Sequence, residues 1–213
     1  MNPVVDTRQR LIDAAIATIR DRGVSGASAR TIAATAGVNQ ALVFYHFGSV
    51  NDLLSTSCQV ATEARVAPFR ERLGEVTTLR ELLALGRELH AEERSLGNVT
   101  VLAQMLAAAQ RDPQLAEATA GALHLWIAPI ETALHRLLAQ SPVVDLLDVP
   151  GLARAVSAGF IGLELFDGVD PTGAADALNA LERLTALIDV VDELGPAVRR
   201  GLRAKLRRRS ASE

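Results

Sequence analysis

The chain has little cysteine, lysine or aromatic carbon. Cys58 is its one cysteine, which excludes an intrachain disulfide and any cysteine-based metal site. A reducing, cytoplasmic location is the expectation. Lys205 is the one lysine, and the other 21 of the 22 basic residues are arginine. Aromatic residues amount to 3% against 49% hydrophobic, so the apolar mass is carried by Ala, Leu and Val. That mixture favours packed helices over sheets, because strands prefer β-branched and aromatic side chains. No run of 18 apolar residues occurs, so no membrane span and no membrane partner are expected. Residues Met1 to Asp6 lack the basic start and apolar stretch of a signal peptide.

What is present is an ordinary globular composition, with 22% charged residues over 213 positions, enough for one large or two small domains. The net charge of −3 hides a partition. Residues 1–66 carry six arginines and five carboxylates, residues 67–198 nine arginines against nineteen carboxylates, and residues 199–213 seven basic residues and one glutamate. An acidic middle repels polyanions, so contact with a nucleic acid must come from the ends.

Helical periodicity starts at once. Leu11, Ala15, Ile16 and Ile19 share one face of a 3.6-residue repeat, Asp6 or Thr7 offers a cap, and Gly23 a left-handed stop. A short helix follows over Ser28–Ala36, closed by Gly37, and another runs from Asn39 to Gly48. A fourth opens at Ser49, with Asp52 three residues on as in a capping box, and reaches about Leu73 unless Pro68 breaks or kinks it. Long helices are then predicted over Leu79–Arg94, Val99–Gln110, Pro113–Ala139 with a kink near Pro129, Pro150–Asp167, and from Asp170-Pro171 to just before Gly195. A final basic helix is predicted over Ala197–Arg208. No alternating strand pattern and no tandem repeat is found.

Two short helices joined by a glycine turn, behind a longer amphipathic helix, make a helix-turn-helix. Ile32, Ala33, Val38 and Leu42 are expected to pack the pair, leaving Asn39, Gln40, Ala41, Phe44, Tyr45 and His46 outward or sideways. Amides can pair with adenine edges, a small Ala can touch a thymine methyl, and phenol and imidazole can bond phosphate oxygens. The alternative is that Tyr45 and Phe47 are core aromatics and that His46 and Arg30 are merely solvated.

At these residues the sequence resembles the TetR family of transcriptional regulators. The matching text runs from Arg10-Leu11-Ile12-Asp13-Ala14-Ala15 through Arg30-Thr31-Ile32-Ala33 and Ala36-Gly37-Val38-Asn39 to Leu42-Val43-Phe44-Tyr45-His46-Phe47-Gly48-Ser49, and ends at Asp52-Leu53-Leu54. The resemblance implies an all-α protein with a three-helix DNA-binding head over residues 6–66, its recognition unit at 28–48, and a helical effector-binding and dimerisation body over 67–209. It further implies that Ser28, Arg30, Thr31 and Ser49 meet the DNA backbone, that Asn39, Gln40 and Ala41 read bases, and that Phe44, Tyr45 and His46 complete the contact. The family often has Thr where Ala27 stands and Lys where Val50 stands. Their absence implies weaker non-specific binding or compensation by Arg8, Arg10 or Arg30.

In the body, Gln104, Met105, Trp126, Phe160 and Glu164 are the distinctive candidates for an effector site, with ordinary core packing as the alternative for each apolar one. Glu164 lies among apolar neighbours and needs a partner, solvent or a proton. His90 and Glu93 stand at metal-ligand spacing, but no HExxH or Cys/His cluster accompanies them, and no metal or cofactor is expected. Small residues Ala158, Gly159 and Gly162 suit a four-helix dimer seam made from helices of about 150–167 and 171–193; internal core is the alternative. No motif of a hydrolase, a nucleotide-binding loop or a dinucleotide fold occurs, so an enzyme is not expected. The expected function is a repressor that binds a palindromic operator on double-stranded DNA as a homodimer and leaves it on binding a small-molecule effector. Two rivals remain: an enzyme, and a helical interaction module that uses its helix-turn-helix only as scaffold.

Overall fold

A computed structural model describes residues 3–96, 98–139 and 147–192. Among the described residues the secondary structure is helical throughout, with no strand. The helices are α1 Pro3–Arg22, α2 Ala29–Ala36, α3 Ala41–Phe47, α4 Val50–Glu75, α5 Leu79–Leu96, α6 Asn98–Ala109, α7 Pro113–Leu138, α8 Val149–Asp167 and α9 Pro171–Asp192. The predicted basic helix over 197–208 lies outside the described residues.

Most helix ends sit where capping chemistry puts them. Asp112 accepts the Gln114 and Leu115 amides at the start of α7, Asp148 the Gly151 amide at α8, and Asp170 the Gly173 amide at α9. Each satisfies a donor that the first turn leaves open. Two expectations are corrected, the cap of α1 and the left-handed stop at Gly23. Helix α1 begins at Pro3 rather than at a cap on Asp6 or Thr7, since proline suits a helix's first position. Pro68 and Pro129 lie inside α4 and α7 without ending them. Ala64, whose carbonyl loses its partner to the Pro68 ring, is exposed, so water can take the missing bond. Gly23 has the expected positive φ of 71° but an extended ψ of 173°, so it turns the chain without making a left-handed cap.

The chain forms two compact units that interleave in sequence: Met1–Phe69 with Glu93–Trp126, and Arg70–Glu92 with Ile127–Glu213. The first is built on Leu11, Ile12, Ile19, Ile32, Val43, Leu53, Leu54 and Met105, all almost fully buried. Ile16, expected on the buried face of α1, is half-buried, while Ile12 is wholly enclosed. In the second unit Leu134, Leu138, Val149 and Ala153 form a core against which Leu79, Leu82, Ile127, Ile130 and Leu152 pack. Arg136 of α7 donates to the Leu73 and Val76 carbonyls at 2.6 and 2.8 Å.

Helix α8 is apolar on faces that the fold does not cover. It is long and apolar enough to cross a membrane, yet carries Glu164 and Asp167. Val156, Leu165 and Phe166 are exposed, as are Val169 just beyond it and Leu181 on α9. A Cβ at Gly159 or Gly162 would meet nothing within 4 Å.

Candidate nucleic-acid interface

Helix α2 is held at both ends. At its start Ser28 and Thr31 form a reciprocal capping box: the Thr31 amide donates to Ser28 Oγ at 3.2 Å and the Ser28 amide to Thr31 Oγ1 at 2.9 Å. The Thr31 hydroxyl also reaches the Gly26 carbonyl at 2.8 Å. At its end Gly37 takes a left-handed conformation (φ 64°, ψ 39°), and the Val38 amide returns to the Ala33 carbonyl at 3.0 Å. The left-handed region is open to glycine without the Cβ clash that other residues meet. The Arg10 guanidinium then donates to the Ala36 and Gly37 carbonyls at 2.5 and 3.3 Å, a cation placed at the negative end of a helix. Arg10 therefore serves the head's own structure.

Helix α3 starts two residues later than its sequence suggested. Asn39 still supplies the capping bond, its Oδ1 accepting the Ala41 amide at 2.8 Å, while Gln40, directly before the helix, makes no side-chain cap bond. The Leu42 and Val43 amides bond the Asn39 and Gln40 carbonyls, so the turn is already helical in trend. The buried contact of α3 is Val43, which is fully enclosed, and not Leu42, which is half-buried. At about 100° per residue, a helix centred inward on position 43 turns positions 41, 44 and 45 outward within an arc of roughly 100°. Those three are exposed, Phe44 at 48% and Tyr45 at 76%, and so is Gln40 just before the helix.

The predicted DNA-contacting residues divide accordingly. Ser28, Arg30, Asn39, Gln40, Ala41, Phe44 and Tyr45 are exposed; Thr31, His46 and Ser49 are half-buried. The Tyr45 and His46 rings meet edge to face with centroids 5.0 Å apart. Phe47 is half-buried and carries the Arg8 guanidinium 5.1 Å from its ring centroid. That contact places a cation beside the C-terminal end of α3. The surface combines amide, phenol and imidazole groups with a nearby guanidinium, the set that can pair base edges and bond phosphate oxygens.

This head is shared with known proteins. The sequence profile of bacterial regulatory proteins of the tetR family matches residues 11–56, the segment from the middle of α1 to the first turns of α4. A solved structure of the multidrug binding protein EbrR, complexed with imidazole, is 30% identical over 82% of this chain and 93% of its own, with a TM-score of 0.59. The chain belongs to the TetR family. An uncharacterized HTH-type transcriptional regulator of Mycobacterium tuberculosis is 26% identical over 62% of the chain and 68% of its own length. FadR from Bacillus subtilis, solved in complex with stearoyl-CoA, shares the fold at a TM-score of 0.68 with 20% identity, covering 83% of this chain and 96% of that one. This TetR-family protein is thus a DNA-binding transcriptional regulator and not an enzyme.

Outside the head, the TetR-family body gives the other candidates different settings. Met105 and Trp126 are buried, and the Trp126 ring lies 6.4 Å from that of Phe69. Gln104 is exposed, with its Oε1 near the turn glycine Gly23: a Cβ there would lie 3.2 Å away. These three belong to the first unit, while Phe160 and Glu164, both half-buried, belong to the second. Glu164 has a partner in His90, whose Nδ1 lies 2.7 Å from Oε1, with the other ring nitrogen 3.8 Å from Asp167. Glu93 points elsewhere: it pairs with buried Arg65 and accepts the Val99 amide at 2.9 Å. His90 and Glu93, at metal-ligand spacing in the sequence, thus have different partners. Sequence spacing also missed the contacts of Asn51 with Asp112 and of Asp52 with Gln114, because they join residues more than sixty positions apart.

Proposed function

We propose that this regulator is a repressor that binds a palindromic operator as a homodimer and is released by a small-molecule effector. The observation that carries the reading is the outward face of α3, where Gln40, Ala41, Phe44 and Tyr45 stand exposed on a helix anchored by Val43. In functional terms residues 6–66 serve as the DNA-binding domain and 67–209 as the effector and dimerisation domain. Gln40, with Asn39, Ala41 and Phe44, reads base edges. Ser28, Arg30, Thr31, Tyr45, His46 and Ser49 hold phosphates.

One helix-turn-helix reads one half-site. A twofold dimer presents two about 34–36 Å apart, one turn of DNA, and so reads a palindrome. The exposed apolar residues of α8 and α9, with small Gly159 and Gly162 between them, support these helices as the seam. Operator affinity of about 10⁻⁸–10⁻¹¹ M at moderate salt is the expectation. The small-molecule arm is supported by EbrR, named a multidrug binding protein, and by FadR with its acyl-CoA. Gln104, Met105, Trp126, Phe160 and Glu164 are the residues whose substitution alters that response. Effector binding displaces α4, which begins one residue past Ser49, and a coupling of about 1–3 kcal/mol lowers operator affinity roughly 5- to 150-fold.

Footprinting with the full-length chain on DNA flanking its own gene tests the reading. A protected, twofold-symmetric site bound by a dimer in analytical ultracentrifugation is the expected result. A monomer on DNA, or binding with flat salt dependence, would overturn it, because phosphate contacts must release counterions.

A further inference from the structure

The first turn of α4 and the first turn of α7 are tied together by four side chains. Asn51 Nδ2 donates to Asp112 Oδ2 at 2.8 Å, and Gln114 Nε2 donates to Asp52 Oδ1 at 2.8 Å. A longer contact of 3.5 Å runs from Asn51 Nδ2 to Gln114 Oε1. Each carboxylate works in two directions. Asp52 gives its other oxygen to the Ser49 hydroxyl at 2.6 Å, while the Asp52 amide donates back to that hydroxyl oxygen at 3.0 Å. Asp112 gives its other oxygen to the Gln114 and Leu115 amides at 3.0 and 3.3 Å. One oxygen of Asp112 thus caps α7, one of Asp52 holds the Ser49 hydroxyl that caps α4, and the other oxygen of each crosses to the opposite helix.

We infer that this reciprocal latch is a positioning device for DNA recognition, with Asn51 and Gln114 as positioning residues that touch no DNA. Only Gly48 and Ser49 separate α3 from α4, so the direction in which α4 leaves fixes the C-terminal end of the recognition helix. Gly48 has φ 79°, and its amide closes onto the Phe44 carbonyl at 2.9 Å, which leaves that joint little slack. Holding the start of α4 against α7 therefore holds the outward face of α3 in one orientation before DNA arrives. A reader that is already oriented loses less conformational freedom on binding. The gain is confined to the aligned, specific complex. Loose binding to phosphates tolerates a swinging head. The inference rests on α3 reading bases and deepens that proposal.

The polarity of the latch can be reversed without changing its charge. In Gln114→Glu a third carboxylate faces Asp52 and cannot donate, so operator affinity should fall about tenfold, the size of coupling typical of contacting polar groups. The double variant Asp52→Asn with Gln114→Glu swaps donor for acceptor across the same contact. The new amide at position 52 can donate to the new carboxylate at position 114, while its oxygen still accepts from Ser49. Operator affinity should return to within about twofold of the unmodified chain. Affinity for an unrelated duplex, and its salt slope, should stay level across all three proteins, and thermal unfolding midpoints verify that each is folded. Losses that simply multiply in the double variant, an unchanged Gln114→Glu, or equal loss on unrelated DNA would each overturn the latch. Failure of the unmodified chain to prefer any operator would overturn the base-reading proposal and the latch with it, whereas a missing rescue alone overturns only the latch.

Discussion

Replacing Gln40 by alanine separates folding from reading more cleanly than any other change on α3. Gln40 is exposed, sits at the cap position and makes no side-chain cap bond. Its truncation removes no buried area and leaves no buried donor without a partner, so unfolding free energy should move by less than about 0.5 kcal/mol. If its amide pairs with a base edge, operator affinity should fall by about 1–3 kcal/mol, roughly 5- to 150-fold, and the preference at one position of each half-site should relax. Two neighbours supply controls. In Asn39→Ala the Ala41 amide loses its acceptor at 2.8 Å, so stability should drop by about 0.5–2 kcal/mol alongside any loss of binding. In Tyr45→Phe an exposed hydroxyl is lost, so all duplexes should weaken alike with folding unchanged. Fluorescence anisotropy against the operator, a set of single-base variants and an unrelated duplex reads all three. The reasoning fails if Gln40→Ala weakens every duplex equally, or if it unfolds the protein.

Four further outcomes follow from the same geometry. Gly37→Ala meets a φ of 64° and puts a Cβ 3.3 Å from the Arg10 Nη2, so it should destabilise by about 2 kcal/mol, lowering the thermal midpoint by some 4–8 °C. Arg65→Ala leaves Glu93 buried without its ion-pair partner and should cost about 3 kcal/mol in urea unfolding; an unchanged midpoint would mean that water reaches Glu93. Burial pushes the Cys58 thiol up to about 11, so the native chain should not react with a disulfide reagent at pH 8, while the unfolded chain should. The Glu81 carboxyl is held below its ordinary range by the Thr77 amide, then the Thr77 hydroxyl. Its contribution is thus fully present above the ordinary carboxyl value and lost as pH falls through the lowered one. NMR titration of Glu81 beside Glu81→Gln checks the sign.

The local parts of this molecule were legible. Ser28 and Gly37 bracket α2 where capping rules put them, and Asp112, Asp148 and Asp170 start helices at proline-marked positions. These rest on interactions within four residues, which spacing encodes. Asn39 is another such cap, accepting the amide two positions on. Leu42 was expected to pack the helix pair, but the fully buried residue of the seven-residue α3 is Val43, with Leu42 half-buried. The bonds of Arg10 to carbonyls 26 and 27 positions away were not legible in the sequence.

By itself the order of residues gave the helical class, where most described helices begin and end, and a short pair near the front that resembles a DNA-binding unit. Periodicity, caps and glycine turns are written in adjacent positions. Tertiary contact alone decided which arginine braces the head, that Glu164 sits against His90, and that the start of α4 is tied to the start of α7. Those pairings depend on distances between residues dozens of positions apart, and only packing can set them.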